Sequence, residues 1–204
     1  MPVANSSQVN SHGALVAGVD EVGRGALFGP VVAAAVILPE SALQSLQLAG
    51  VTDSKRLSAN RRTQLSLQIQ AAATSCCVGY ASVREIDRIN ILQASLLAMR
   101  RAVLRLQPRP TRCLVDGNQL IPALDIAQEA WVKGDQRSLA IAAASIVAKV
   151  WRDALIVRLA QRYPGYDLAA NKGYGSAKHR AALQTLGPSQ QHRQSFKPCQ
   201  LQLL

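Results

Sequence analysis

Short apolar runs closed by glycine, proline or an acid alternate along this chain with longer stretches of helical spacing. Ala14–Asp20 is apolar and bounded by Gly13 and Gly23, which predicts a buried strand. Val31–Leu38 predicts a second, entered through Gly29-Pro30 and closed by Pro39. From Ser58 the spacing turns helical, with Leu65 and Ile69 on one face, and Cys76–Val83 predicts a third strand. Asn90 is a plausible N-cap for a helix whose face is Leu92, Leu96, Met99, Val103 and Leu106, stopped by Pro108 and Pro110. Arg112–Val115 predicts a fourth strand ending in Asp116-Gly117-Asn118, and Ala127–Lys133 a fifth. Ser138–Tyr163 predicts a long helix stopped by Pro164-Gly165, with a shorter helix after Ser176.

Strands come first and then alternate with helices, which predicts an α/β domain with a mixed sheet and helices on its faces. The early strands are too close for helical crossovers, so that edge should be antiparallel. The 204-residue length fits one domain, expected over 14–198, with a disordered leader at 1–13 and a flexible tail at 199–204. Asp20, Glu21 and Arg24 interrupt the most apolar region, so no run is long enough to span a membrane. The polar N-terminus has no secretory pattern. Cys76, Cys77, Cys113 and Cys199 form no C-x-x-C pair, which predicts buried free thiols in a reducing cytoplasm rather than a zinc site or disulfides.

The net charge of +11 is unevenly spread. Residues 1–50 carry Arg24 against Asp20, Glu21 and Glu40, so the basic excess lies in the remainder. Such a surface suits a polyanion, because each neutralised phosphate releases counterions. Aromatic residues make up 4% of the chain, which fits a duplex held by its phosphates better than a single strand held by stacking.

The candidate chemistry lies in acids that close apolar segments. Asp20 and Glu21 end one predicted strand and Asp116 another. Asp153 shares a helical stripe with Ile146, Val150 and Val157. A buried unpaired carboxylate is costly, and that cost vanishes when several surround a hard dication such as magnesium or manganese. Two such ions about 4 Å apart suit phosphodiester hydrolysis. Neighbouring strand residues face opposite ways, so Asp20 and Glu21 can share a cluster only if the strand ends or twists, which Gly23 and Gly25 would permit. Plainer readings stay open: Lys149 as a helical ion-pair partner for Asp153, and Asp116-Gly117 as a simple turn.

At these residues the sequence resembles the ribonuclease HII family. The resemblance rests on Gly18-Val19-Asp20-Glu21-Val22-Gly23-Arg24-Gly25, Asp53-Ser54-Lys55-Arg56-Leu57, Val115-Asp116-Gly117-Asn118, Ala144 through Asp153, and Lys172-Gly173-Tyr174-Gly175-Ser176 through His179, in the family's order across 14–198. It implies an RNase H-like fold, a five-stranded mixed sheet flanked by helices, with a helical C-terminal region. It also implies Asp20, Glu21, Asp116 and Asp153 as catalytic, metal-binding acids for magnesium or manganese. The implied activity cuts RNA in RNA–DNA hybrids, or at single ribonucleotides in duplex DNA, leaving a 5′-phosphate and a 3′-hydroxyl. Gly23, Arg24, Gly25 and Tyr174 map to ribose recognition. That is physically reasonable, since the 2′-hydroxyl alone marks RNA at a given sugar. Lys55, Lys172 and Asn118 complete the expected substrate contacts. Without the neighbouring motifs, Gly23 and Gly25 read as turn residues and Tyr174 as a half-buried core tyrosine.

His179 is expected to face solvent rather than act in catalysis. Two alternatives remain to be tested: a DNA nuclease of the same fold acting on junctions or ends, and a non-catalytic duplex-binding module. A monomer is expected. The terminal Gln200-Leu201-Gln202-Leu203-Leu204 resembles short peptides that dock on bacterial sliding clamps, a tail presenting spaced leucines to an apolar groove. Leucines folding back onto the C-terminal helices are the alternative.

Overall fold

The structure is a computed structural model and describes residues 15–200. Five strands form one mixed sheet: β1 (Val16–Val22), β2 (Val31–Ile37), β3 (Ser75–Ala81), β4 (Arg112–Asp116) and β5 (Ala127–Trp131), in the order β3-β2-β1-β4-β5. The β1–β2 and β2–β3 pairs are antiparallel, and β1–β4 and β4–β5 are parallel. The early edge is antiparallel for the reason given by its short connections.

Among the described residues six helices accompany the sheet: α1 (Glu40–Leu48), α2 (Ala59–Ala72), α3 (Val83–Val103), α4 (Leu139–Ala160), the single turn α5 (Leu168–Asn171) and α6 (Ala177–Leu186). No periodic signal predicted α1, which is short and buries only Ala42 and Leu46. Helix α3 starts earlier than expected. Ser82 caps it in a reciprocal box with Glu85, so the predicted third strand ran into a helix start. Asn90 sits inside α3 at φ 66 as a kink, and its side chain accepts from the Gln93 N–H at 3.1 Å. It therefore caps the second part of the helix and not its beginning.

The two sheet faces bury separate cores. On one face Ala17, Val19, Val31, Ala33, Cys113 and Val115 pack against α3. On the other, Ala34 and Val36 pack against α2 and α4. A side chain on Gly18 would collide with the backbone of α4 at Ala140 and Ile141, so this glycine sets how closely α4 approaches β1. Asp20 and Asp116 alternate in phase with Gly18 and Leu114, which turns both toward α4. A third core joins Leu27, Phe28, Ile156, Tyr166, Leu168, Leu183 and Cys199, and holds the C-terminal helices against the loop after β1. Burial of Cys199 carries the packed chain past Pro198. The leader 1–13 and residues 201–204 lie outside the described residues. The four thiols are free, with Cys113 and Cys199 buried and Cys76 and Cys77 only half-buried. Among the described residues no helix is long and apolar enough to cross a membrane.

Candidate active site

The site opens where β1 and β4 part. Their pairing ends at Val19–Val115, while β1 stays paired with β2 as far as Val22. Asp20, Glu21 and Asp116 lie just past the last β1–β4 contact. The strand does not end at these acids: its pairing with β2 stays regular through Asp20 and Glu21, so the expected break in strand alternation is absent there. Burial, then Glu21 and Asp116, push the Asp20 carboxyl well above the usual range. Burial also raises Glu21, Arg24 opposes that rise, and Asp116 adds to it. Both neighbours thus feel the same third carboxylate. The Arg24 guanidinium donates to Glu21 Oε1 at 3.2 Å from an exposed position. Asp116 Oδ1 accepts the Gly134 N–H at 2.7 Å.

Asp153 is placed differently. The expected stripe is buried at Ile146 and half-buried at Val150, but beyond Ala148 the buried positions of α4 are Arg152 and Ile156, each one residue before Asp153 and Val157. Val157 is 40% exposed, and Asp153 lies at the rim, where Lys149 donates to its Oδ1 at 2.9 Å. The plain ion-pair reading of these two residues holds in this structure. Among the described residues no three acid or thiol groups close around a common point. The donor set still suits a hard dication. Asp116 adds to the proton affinity of both Asp20 and Glu21, and among the described residues the one cation set against them is the exposed Arg24.

Beside the acids, residues 53–55 are locked in place. Asp53 Oδ1 accepts the Lys55 N–H at 2.9 Å, and Ser54 Oγ bonds Ser145 Oγ on α4 at 2.9 Å in a buried contact. Lys55 is left exposed beside the cleft. Asn118 is exposed after β4. Lys172 is half-buried and its amine bonds the Ala169 carbonyl, which ties its charge to its own turn. Asp135, which the sequence reading passed over, neighbours the site. Burial, Asp116 and Asp53 raise its carboxyl, while Lys55 lowers it.

The loop after β1 forms the opposite wall. Gly23 has φ 90, and a Cβ there would fall on the Arg152 guanidinium, so no other residue fits without moving that arginine. Gly25 faces open space, where backbone can approach a ligand. The Leu27 N–H donates to Gly173 O at 2.8 Å, and Ala26 forms a bridge with Tyr174, so the Gly23–Gly25 turn and Tyr174 share one hydrogen-bonded junction. Lys149 Nζ and the Arg152 guanidinium lie 5.4 and 5.5 Å from the centre of the half-buried Tyr174 ring.

His179 corrects its expected place. It is fully buried, bonded to Tyr174 O at 2.9 Å and to His192 Nε2 at 3.0 Å. Arg152, His192 and Arg193, all fully buried, had not been singled out. No periodic or local signal marks the last two, because their partners lie far away in sequence.

A five-stranded mixed sheet with helices on both faces, and acids gathered where its central strands separate, defines a nuclease of RNase H-like fold. The family described as Ribonuclease HII matches this chain over residues 17–199, and the chain belongs to that family, whose members are hydrolytic endoribonucleases. Ribonuclease HII of Acaryochloris marina is 69% identical over 189 residues, covering 93% of this chain and 96% of the relative. The crystal structure of ribonuclease H2 from Pyrococcus horikoshii OT3 superposes with a TM-score of 0.77 at 27% identity, covering 90% of this chain and 94% of that one. A ribonuclease HII from Archaeoglobus fulgidus, solved in complex with PCNA, superposes with a TM-score of 0.71 at 29% identity, covering 84% and 87%.

Proposed function

We propose that this chain cuts RNA in RNA–DNA hybrids, and cuts at single ribonucleotides embedded in duplex DNA, with Asp20, Glu21, Asp116 and Asp153 as its catalytic acids. One observation carries the reading. The strand that carries Asp20-Glu21 and ends at Val22 runs directly into the turn that bridges to Tyr174, so cutting and ribose reading are built on one continuous segment. Gly23, Arg24 and Gly25 offer backbone to the ribose, and Tyr174 packs against the neighbouring sugar. Lys55 and Asn118 face the duplex from the opposite side, while Lys172 serves chiefly by shaping the Tyr174 turn.

The four acids would hold two divalent cations, magnesium or manganese, which when bound supply an activated water and stabilise the leaving oxygen. Asp153, paired here with Lys149, would join this set when the cations are bound, and Arg24, paired here with Glu21, would be free to meet a phosphate. A duplex carrying one ribonucleotide, incubated with each metal, tests the reading; the expected product ends are 5′-phosphate and 3′-hydroxyl. Equal cutting of an all-DNA duplex would favour a DNA nuclease, and binding without metal-dependent cutting a passive module.

The protein is expected to act as a cytoplasmic monomer. The archaeal relative in complex with PCNA supports looking for a replication partner, and residues 200–204 are the segment we assign to a sliding clamp. Deleting them should abolish clamp association, in the micromolar range, and leave cleavage of a short oligonucleotide unchanged. Joint loss of thermal stability and activity would make the tail part of the core.

A further inference from the structure

The segment Ser189–Arg193 holds none of the residues assigned above to cleavage, yet its hydrogen bonds reach both halves of the ribose-reading surface. Arg193 Nη2 donates to Gly23 O at 2.7 Å, Nη1 to Arg24 O at 2.8 Å and Nε to Gly29 O at 3.0 Å. The main chain reinforces this grip: Arg193 N–H donates to Leu27 O at 2.9 Å, and Gly29 N–H to Gln191 O at 2.8 Å. A trans peptide points its N–H opposite to its C=O. Carbonyls of Gly23 and Arg24 held inward on Arg193 therefore turn the N–H groups of Arg24 and Gly25 outward, where Gly25 borders open space.

The next residue back reaches Tyr174. His192 Nδ1 lies 2.9 Å from the Ser189 N–H and must accept. Its Nε2 therefore carries the proton and donates to His179 Nε2 at 3.0 Å. His179 in turn donates from Nδ1 to the Tyr174 carbonyl at 2.9 Å. A single pair of neutral tautomers satisfies every contact in this chain.

We propose that His192 and Arg193 are positioning residues for ribonucleotide recognition: Arg193 fixes the Gly23–Arg24 turn, and His192, acting through His179, fixes the backbone of Tyr174. The proposal rests on the ribose-reading role given to those two elements. It couples them through adjacent residues, so their spacing is set by one segment.

Two substitutions at His192 separate positioning from mere packing. In His192→Gln the side-chain amide keeps a donor where Nε2 stood. In His192→Asn it keeps a polar atom where Nδ1 stood and loses the reach to His179. With a DNA duplex containing one ribonucleotide and magnesium, His192→Asn should lower kcat about 10- to 100-fold, the scale of an ångström-level misplacement, while KM changes less than about twofold. His192→Gln should recover most of that loss at comparable thermal stability. Arg193→Lys, with the charge kept and the fork lost, should resemble His192→Asn. Imidazole nitrogen spectra of the unmodified protein at neutral pH should show protonated Nε2 on His192 and protonated Nδ1 on His179. Equal falls for Asn and Gln that track melting temperature, no fall at all, or the opposite tautomers would overturn the positioning role. Unmodified protein that cuts all-DNA duplex as fast as the ribonucleotide substrate would instead overturn the ribose reading beneath it.

Discussion

The acid cleft and the cradle behind the Gly23–Gly29 loop adjoin along the same stretch of chain and treat buried charge in opposite ways. In the cleft, burial and the neighbouring Asp116 raise the proton affinity of Asp20 and Glu21. In the cradle, Arg152 and Arg193 are fully buried, and among the described residues neither forms a salt bridge. Every guanidinium nitrogen donates to a backbone carbonyl: Arg152 to Pro30, Lys172 and Phe28, and Arg193 to Gly29, Arg24 and Gly23. Burial lowers the Arg193 guanidinium only to about 9, so it stays protonated at neutral pH. Crowded anions mark a place prepared for a cation. Fully bonded cations mark a scaffold that organises irregular backbone, since carbonyl groups buried in a loop must find donors.

The largest effect should come from breaking the cleft. Asp116→Asn should lower cleavage by about 10³-fold or more, because it removes charge needed for several kcal/mol of transition-state stabilisation. Its amide oxygen can still accept the Gly134 N–H. Melting temperature should therefore hold or rise, and duplex affinity should stay near normal. Near-normal turnover at saturating magnesium would end the acid-cluster account. Arg193→Met should do the reverse and act first on folding. It removes three bonds to carbonyls, orphaning those of Arg24 and Gly29 and leaving Gly23 with only the Ala26 N–H at 3.3 Å, for a loss of about 3 kcal/mol at roughly 1 kcal/mol each. Denaturant midpoints with an unchanged slope would measure it. A change below about 1 kcal/mol would show the loop to be self-supporting.

The same contrast explains what the sequence made legible. The cleft acids lie at or near the ends of regular strands, so Asp20, Glu21 and Asp116 stand out against apolar runs, and the antiparallel early edge follows from connection lengths. Asp153 was legible as chemistry but misplaced as packing. The Ile146-Val150-Asp153-Val157 spacing is a true helical stripe and is buried at its start, but past Val150 α4 turns the neighbouring positions Arg152 and Ile156 inward. Arg193 and His192 left no trace because their partners are main-chain atoms far along the chain, and a carbonyl acceptor has no residue identity. For the same reason His179, a lone histidine in sequence, could not be read as one half of a buried pair.

At the seam between the two regions stands Tyr174, its ring near Lys149 and Arg152 and its carbonyl on His179. Tyr174→Ala should lower kcat/KM at a single ribonucleotide about 10- to 100-fold while duplex affinity falls less than about threefold, because misplacement costs more in the transition state than in the ground state. Equal losses of binding and turnover would move Tyr174 into the scaffold.

The smallest effect concerns pH, and it sharpens the claim that the cradle is built for one protonation state. Burial, then His179, lowers His192 to about 4, and burial lowers His179 as well, against support from the Tyr174 carbonyl and Asp167. A histidine whose folded pKa lies below its unfolded value takes up protons more readily when unfolded. Its contribution to stability is complete above about 6.5 and falls as pH drops toward 4. Protonation would set N–H against N–H across the 3.0 Å contact between the two Nε2 atoms. Stability should therefore fall by about 1–2 kcal/mol between pH 6.5 and 5, within the limit of about 1.4 kcal/mol per pH unit for one proton. Carboxylates titrate near the lower end of this window, so the measurement is the difference between the unmodified protein and His192→Gln. An amide in place of His192 can turn its oxygen toward a protonated His179, and the variant should lose most of the slope. Parallel stability curves for the two proteins across pH 7 to 5 would show that the buried pair does not set the pH response.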